Sequence, residues 1–163
     1  MKKFLVVGLF FFTSVAPAFG ADVFVVQHVL DGDTVVLQDG QHVRLIGVDT
    51  PEMGDERRNR QDARRNHLSE KIVNKFSKRA KEFLSQAVVG RTVRLEYDWQ
   101  RKDKYGRTLA YVYRQPDDYF LNAEIIQRGY GFAYLVFEFR YSEEFRQYQR
   151  QAQENQMGLW KRA

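Results

Sequence analysis

Three short segments of the chain carry residue types able to do chemistry on a phosphodiester: Asp31-Gly32-Asp33-Thr34, then Arg44-Leu45-Ile46-Gly47-Val48-Asp49-Thr50-Pro51-Glu52, then Asp103-Lys104-Tyr105-Gly106-Arg107. Between them they offer carboxylates that can hold a hard cation, one further carboxylate and two arginines, the set that metal-assisted attack on a phosphate diester requires. Each segment alone has a plainer reading. Asp-Gly-Asp is first of all a turn, and a lone arginine in a strand is usually a solvated surface charge. Their order and content, inside a basic chain, set the combination apart.

Further runs extend the pattern: Lys104-Tyr105-Gly106 before Arg107, Leu109-Ala110-Tyr111-Val112-Tyr113 after it, and Gly158-Leu159-Trp160 near the end. With these the chain after its first twenty residues resembles the staphylococcal nuclease-like (thermonuclease) family. The resemblance implies that Asp33 and Asp49, with the backbone carbonyl of Thr50, hold calcium. It makes Glu52 the candidate general base and gives Arg44 and Arg107 the grip on the scissile phosphate. It further implies that both DNA and RNA are cut at the P–O5′ bond to products ending in 3′-phosphate. Lys104, Tyr105 and Tyr134 are candidate substrate contacts. Two departures stand out: the stretch from Glu52 to Asp98 is longer than the family's usual one, and the second tyrosine expected after Tyr134 is missing, with Val136 or Phe137 near its place. A non-catalytic nucleic-acid-binding OB domain is the alternative, but such relatives should lack some metal or arginine positions, and all are kept here.

Other uses of the carboxylates fail on spacing. An EF-hand loop starting at Asp31 needs glycine at its sixth position and glutamate at its twelfth, where the chain has Val36 and His42. His28, His42 and His67 show no zinc-ligand spacing. Neither a glycine-rich phosphate cradle nor a Gly-x-Ser-x-Gly elbow is present.

Lysine and arginine number 26 against 21 acids, a net charge of +5. An excess of this size permits polyanion binding without demanding it, so distribution matters more than the sum. Positive charge concentrates in Arg57-Arg58-Asn59-Arg60 and Arg64-Arg65-Asn66, directly after Glu52. This segment reads either as a solvated loop running into a helix or as a phosphate-tracking arm beside the site.

The elements that must position these residues begin with strands. Val23 to Val29, Thr34 to Leu37 and His42 to Val48 are rich in β-branched residues, and Asp39-Gly40 joins the last two as a hairpin turn. Leu68, Ile72, Phe76, Ala80, Phe83 and Ala87 recur at helical spacing, with Gly90 as the stop. Arg91 to Tyr97 and Arg107 to Tyr113 are two further strands. Leu121, Ile125 and Ile126 mark a second helix ending at Gly129, and Ser142 can cap a third, with Glu143 and Glu144 in its first turn. This order predicts an α+β fold, a five-stranded OB-type barrel with about three packed helices, as the resemblance also implies. Trp160 and the helical apolar stripes read as core, whereas the aromatic run Phe132 to Phe139 is either a mostly buried loop or a place where Tyr134 meets substrate. One conflict is built in: in an ideal strand Arg44 shares a face with Ile46 and Val48, not with Asp49, so a bulge at Gly47 or a turn near Asp49 must bring the pair together.

The first residues read as an export signal. Lys2 and Lys3 form a charged start, Phe4 to Phe12 a short apolar run, and Ala18-Phe19-Gly20 a small-x-small cleavage site before Ala21. The expected organisation is therefore a signal peptide over 1–20 and one nuclease-like domain over 21–163, a monomer, secreted or periplasmic, without stable membrane association once the leader is removed. There is no cysteine, so a protein sent to an oxidising compartment must be stable by packing alone.

Overall fold

A computed structural model describes residues 22–161, so the export signal expected over 1–20 lies outside the described residues. The β-branched runs form β1 (Asp22–Asp31), β2 (Thr34–Leu37), β3 (His42–Leu45), β4 (Val48–Asp49), β5 (Thr92–Glu96) and β6 (Thr108–Arg114), with two-residue strands β7 (Tyr119–Phe120) and β8 (Phe132–Ala133). Neighbours in the order β3-β2-β1-β5-β6 pair antiparallel, and β3 closes on β6 in parallel. The result is a closed, mixed five-stranded barrel of OB type, as the sequence predicts, and closure removes the unpaired strand edges. Val26, Val35, Leu37, Val43, Leu45, Val93, Leu95, Ala110 and Val112 fill its interior. The Asp39-Gly40 turn forms as expected, with Gly40 at φ +83° and its N–H donating to Leu37 O at 3.0 Å.

The helices are α1 (Glu56–Arg65), α2 (Glu70–Val88), α3 (Leu121–Gln127) and α4 (Ser142–Glu154). The Ser69 side chain caps α2 by accepting from the Ile72 N–H. The far end of α2 puts Leu84, Ala87 and Val88 on the barrel core, while Val73 and Phe76 join Ala63, Phe132, Ala152, Leu159 and Trp160 in a second cluster. Trp160 is thus core, as read from the sequence, with its ring edge-on to Phe132.

Four helices among the described residues agree with the about three expected, the additional one being α1, into which the basic stretch after Glu52 folds. Two expectations need correction. Ser142 is the first residue of α4, not its cap; Tyr141 holds the cap position and makes no side-chain capping bond, although Glu143 and Glu144 do occupy the first turn. His42 to Val48 is not one strand: β3 stops at Leu45, and Ile46-Gly47 turn the chain before β4. Gly47 sits at φ +72°, and any Cβ there would collide with the rings of Phe139 and Phe145. The buried Asn122 fixes the turn from α3, donating to Ile46 O at 2.9 Å while accepting from Val112 N–H at 2.9 Å.

Candidate active site

The barrel brings the first two segments together through β2–β3 pairing. Thr34 lies opposite Arg44, so Asp33, just before β2, meets the Arg44 guanidinium in an ion pair. Asp33 is fully buried; its other carboxylate oxygen accepts from the Thr50 N–H at 3.1 Å, and its own N–H donates to Asp31 Oδ1 at 3.1 Å. Gly32 makes this approach possible, since a Cβ there would stand 2.6 Å from Ala80 Cβ and 2.7 Å from Thr50 Oγ1. The Ile46-Gly47 turn resolves the strand-face conflict. It redirects the chain so that Arg44 Nη2 reaches both Val48 O, at 3.3 Å, and Asp49 Oδ1, at 3.2 Å.

Asp49 and Glu52 meet a partner that the sequence reading assigns only to a basic stretch beside the site. Arg58, on α1, donates from one Nη to Asp49 and from the other to Glu52 Oε1 at 2.6 Å. The same helix holds the backbone of Glu52: buried Asn59 accepts from Glu52 N–H at 2.8 Å and donates to Glu52 O at 2.7 Å. Asp55 caps α1 by accepting from Arg58 N–H at 2.9 Å. The signal for this was available as spacing, since Arg58, Asp62 and Arg65 recur at helical intervals, but the face they form is polar.

The third segment arrives by the parallel β3–β6 pairing, which sets Arg44 beside Leu109 and so brings the preceding loop to the same side. Within that loop the Asp103 carboxylate accepts from the backbone N–H of Tyr105 at 2.9 Å and of Arg107 at 3.0 Å, and from Arg107 Nε at 2.7 Å. Asp103 therefore orients Arg107, whose two Nη groups make no hydrogen bond among the described residues. Lys104 and Arg107 both lie over the exposed Tyr105 ring. Pairing of β4 with β8, Asp49 opposite Phe132, delivers Tyr134, whose N–H donates to Gly47 O at 2.9 Å.

Arg44, Asp49, Arg58, Lys104, Tyr105, Arg107 and Tyr134 all line one cleft of about 530 Å³. Asp33 and Glu52 are tied to its arginines rather than lining it themselves, and Thr50 is likewise off its walls. Of the aromatic run, Phe132 and Phe139 are buried while Val136 and Phe137 are exposed, and Phe137 occupies the cleft wall beside Tyr134. Of the arginine-rich stretch, Arg58 and Arg65 line the cleft, whereas Arg60 pairs with Glu70 across 3.3 Å.

Burial dominates the electrostatics. It pushes Asp33 up to about 6 against the opposing pull of Arg44, and nearby Asp31 adds to the rise. Burial likewise raises Asp49 and Glu52, with Arg58 the largest opposing influence on each. The two guanidiniums thus offset the desolvation of these carboxylates only in part. Among the described residues no three acidic or histidine side chains converge as a ready metal centre. What does converge is an all-oxygen set, Asp33 and Asp49, beside Thr50, whose buried hydroxyl has no partner. A pair of hard carboxylates beside an unpartnered hydroxyl fits a divalent cation, whose remaining positions water and substrate oxygens would fill.

The fold and cleft define an OB-type α+β protein whose site joins carboxylates to guanidiniums, a pairing suited to phosphate esters. Residues 42–162 match the family described as staphylococcal nuclease homologue, and the chain belongs to that family. It is 36% identical over 143 residues to the thermonuclease of Staphylococcus intermedius, covering 85% of this chain and 76% of that protein. To the thermonuclease of Staphylococcus hyicus it is 35% identical, covering 81% and 72%. Endonuclease YncB of Bacillus subtilis is 30% identical over 82% of this chain and 59% of its own length.

Proposed function

We propose that this protein is a calcium-dependent nuclease that hydrolyses DNA and RNA at the P–O5′ bond, leaving 3′-phosphate ends, and that it acts outside the cytoplasm. The coarser part follows from family membership, which makes it a hydrolytic nuclease with nucleic acid as substrate. One observation carries the finer reading: Arg44, Arg58 and Arg107 line a single cleft, with Asp33, Asp49 and Glu52 paired to the first two.

Asp33, Asp49 and the Thr50 carbonyl would hold the cation, which supplies charge neutralisation at a phosphoryl oxygen when bound. The remaining work belongs to the chain. Glu52, its proton affinity raised by burial and its backbone clamped by Asn59, prepares the attacking water. Arg44 and Arg107 stabilise charge on the equatorial oxygens and the leaving group; Arg107 brings two Nη groups not committed within the protein, and Asp103 fixes its direction. Lys104, Tyr105 and Tyr134 meet the flanking nucleotides. Extracellular calcium would fill a site of so few protein ligands more readily than cytoplasmic calcium, in keeping with the export signal read in the sequence. Among the described residues no helix is long and apolar enough to cross a membrane.

Digestion of single-stranded DNA and RNA with calcium, magnesium or chelator, with end-group analysis of the products, tests this. Calcium-restored cleavage giving 3′-phosphate ends is expected. Full activity in excess chelator overturns the metal assignment, and 5′-phosphate products overturn the assignment of the bond.

A further inference from the structure

Trp99 is not part of the site described above, yet it lies beside it. The segment Asp98–Gln100 follows β5, and a tryptophan ring there costs solvation unless something covers it. Trp99 is 68% exposed, the large hydrophobic of this loop left most open apart from Tyr105 at 72%. Its backbone is fixed: the Trp99 N–H donates to Asp98 Oδ1 at 2.9 Å, and the Asp98 carboxylate also accepts from Tyr111 O–H and from Arg140 N–H at 2.8 Å. The ring therefore projects from an anchored point rather than from a loose loop.

Trp99 and Phe137 line a small crevice floored by Ile46 and Leu109, and Phe137, Ile46 and Leu109 also line the main cleft. The crevice thus continues the cleft outward. The crevice itself is lined by Asp98 and Glu138 besides its rings, and the cations belong to the main cleft it joins, where Arg44, Lys104 and Arg107 stand. An aromatic surface continuous with a basic phosphate cleft matches the chemistry of single-stranded nucleic acid, in which bases stack while the backbone follows positive charge. Phe137 also stands near where the family's second tyrosine is missing, so a ring is kept there without a hydroxyl to offer a phosphate.

We infer that Trp99, with Phe137, forms an outer stacking subsite for a nucleobase of single-stranded substrate beyond the nucleotides held in the cleft. This rests on the nuclease reading and assigns a further substrate contact to the same surface. The subsite binds by stacking and takes no part in bond cleavage, so it favours longer single strands over dinucleotides and over duplex, whose bases are already stacked.

The chain carries two tryptophans, and the other, Trp160, is buried at 8% exposure, so a change in tryptophan emission on binding reports mainly on Trp99. The test titrates the mature protein, in chelator to prevent cleavage, with fluorescently labelled oligothymidylates of two and eight nucleotides. Anisotropy gives affinity and tryptophan emission gives contact. Quenching by the octanucleotide is expected in the parent protein. Trp99→Phe should lose the quenching and keep the affinity, whereas Trp99→Ala should lose about 5-fold or more in affinity for the octanucleotide, as one base–aromatic stack implies, and little for the dinucleotide. An exposed ring contributes little to the fold, so melting temperatures should match. Octanucleotide binding that Trp99→Ala leaves intact overturns the subsite while the nuclease reading stands. A parent protein that neither binds nor cleaves single strands overturns both.

Discussion

The Arg58 guanidinium is ion-paired to Asp49, a residue the family resemblance gives to calcium, and the same group reaches Glu52 at 2.6 Å. A positive charge brought by α1 therefore occupies the space next to one carboxylate of the proposed cation site. It also shares the carboxylate proposed to prepare water.

Arg58→Gln should consequently tighten calcium binding. At an effective dielectric near 20, removing a positive charge close to a divalent cation is worth at least about 1 kcal/mol, or about 5-fold in affinity. Calorimetric titration of both proteins with calcium alone measures this, and circular dichroism checks that α1 persists. Equal or weaker calcium affinity in the variant would mean that Arg58 does not compete with the cation.

Arg107 offers a different test, because within its guanidinium Asp103 engages only Nε, leaving both Nη groups for the cleft. Arg107→Lys keeps the charge but removes the bidentate fork, so kcat should fall by on the order of 100-fold with the melting temperature little changed. A kcat within a few-fold of the parent would remove Arg107 from transition-state stabilisation.

Much of this arrangement is legible in the chain, and the physical reason is periodicity. The β-branched runs and the stripe from Leu68 to Ala87 bury apolar faces, so their patterns announce β1, β2, β5, β6 and α2. The motif residues Asp33, Arg44, Asp49 and Arg107 are likewise visible in sequence, and the fold does bring them to one region. Helix α1 escaped because its inward face is polar: Asn59 and Asp62 are buried there, with Ala63 the lone buried apolar residue. Hydrophobic spacing cannot report a helix held by side-chain amides on Glu52. The pairing of β4 with β8 escaped for another reason, being two residues long and joining segments far apart in sequence. The Arg44–Asp49 conflict was visible as a conflict, and Gly47 resolves it with a positive φ that glycine alone adopts readily.

Folding of the arginine-rich stretch into α1 divides its members. Arg58 belongs to the carboxylates, while Arg57 and Arg64 are exposed and Arg65 is on the cleft wall. If the exposed face tracks backbone phosphates, changing Arg57, Arg64 and Arg65 together to glutamine should raise KM and flatten its salt dependence. On single strands the slope of log KM against log salt should drop by roughly 0.7 for each phosphate that an arginine no longer neutralises. Turnover at saturating substrate should hold, since uniform binding is removed. Parallel slopes for parent and variant would leave the segment a structural helix that happens to be basic.

Acid stability provides a last measurement, independent of catalysis, at the anchor beneath Trp99. Burial tends to raise the Asp98 carboxyl, but hydrogen bonds from Arg140 N–H, Tyr111 O–H and Trp99 N–H outweigh it and hold the group below its usual range. A carboxyl depressed in the folded state stabilises the protein fully above its unfolded value, near 3.9, and that contribution is lost as pH falls through the folded value. Asp98→Asn keeps one acceptor and loses the charge, and should cost roughly 1 kcal/mol at pH 7, since the site is only partly buried. The gap between parent and variant should then narrow as pH drops below about 4. Urea unfolding of both proteins at pH 7 and pH 3 checks it. A gap that stays constant over this range would show that Asp98 acts through packing and neutral hydrogen bonds, with its charge contributing nothing.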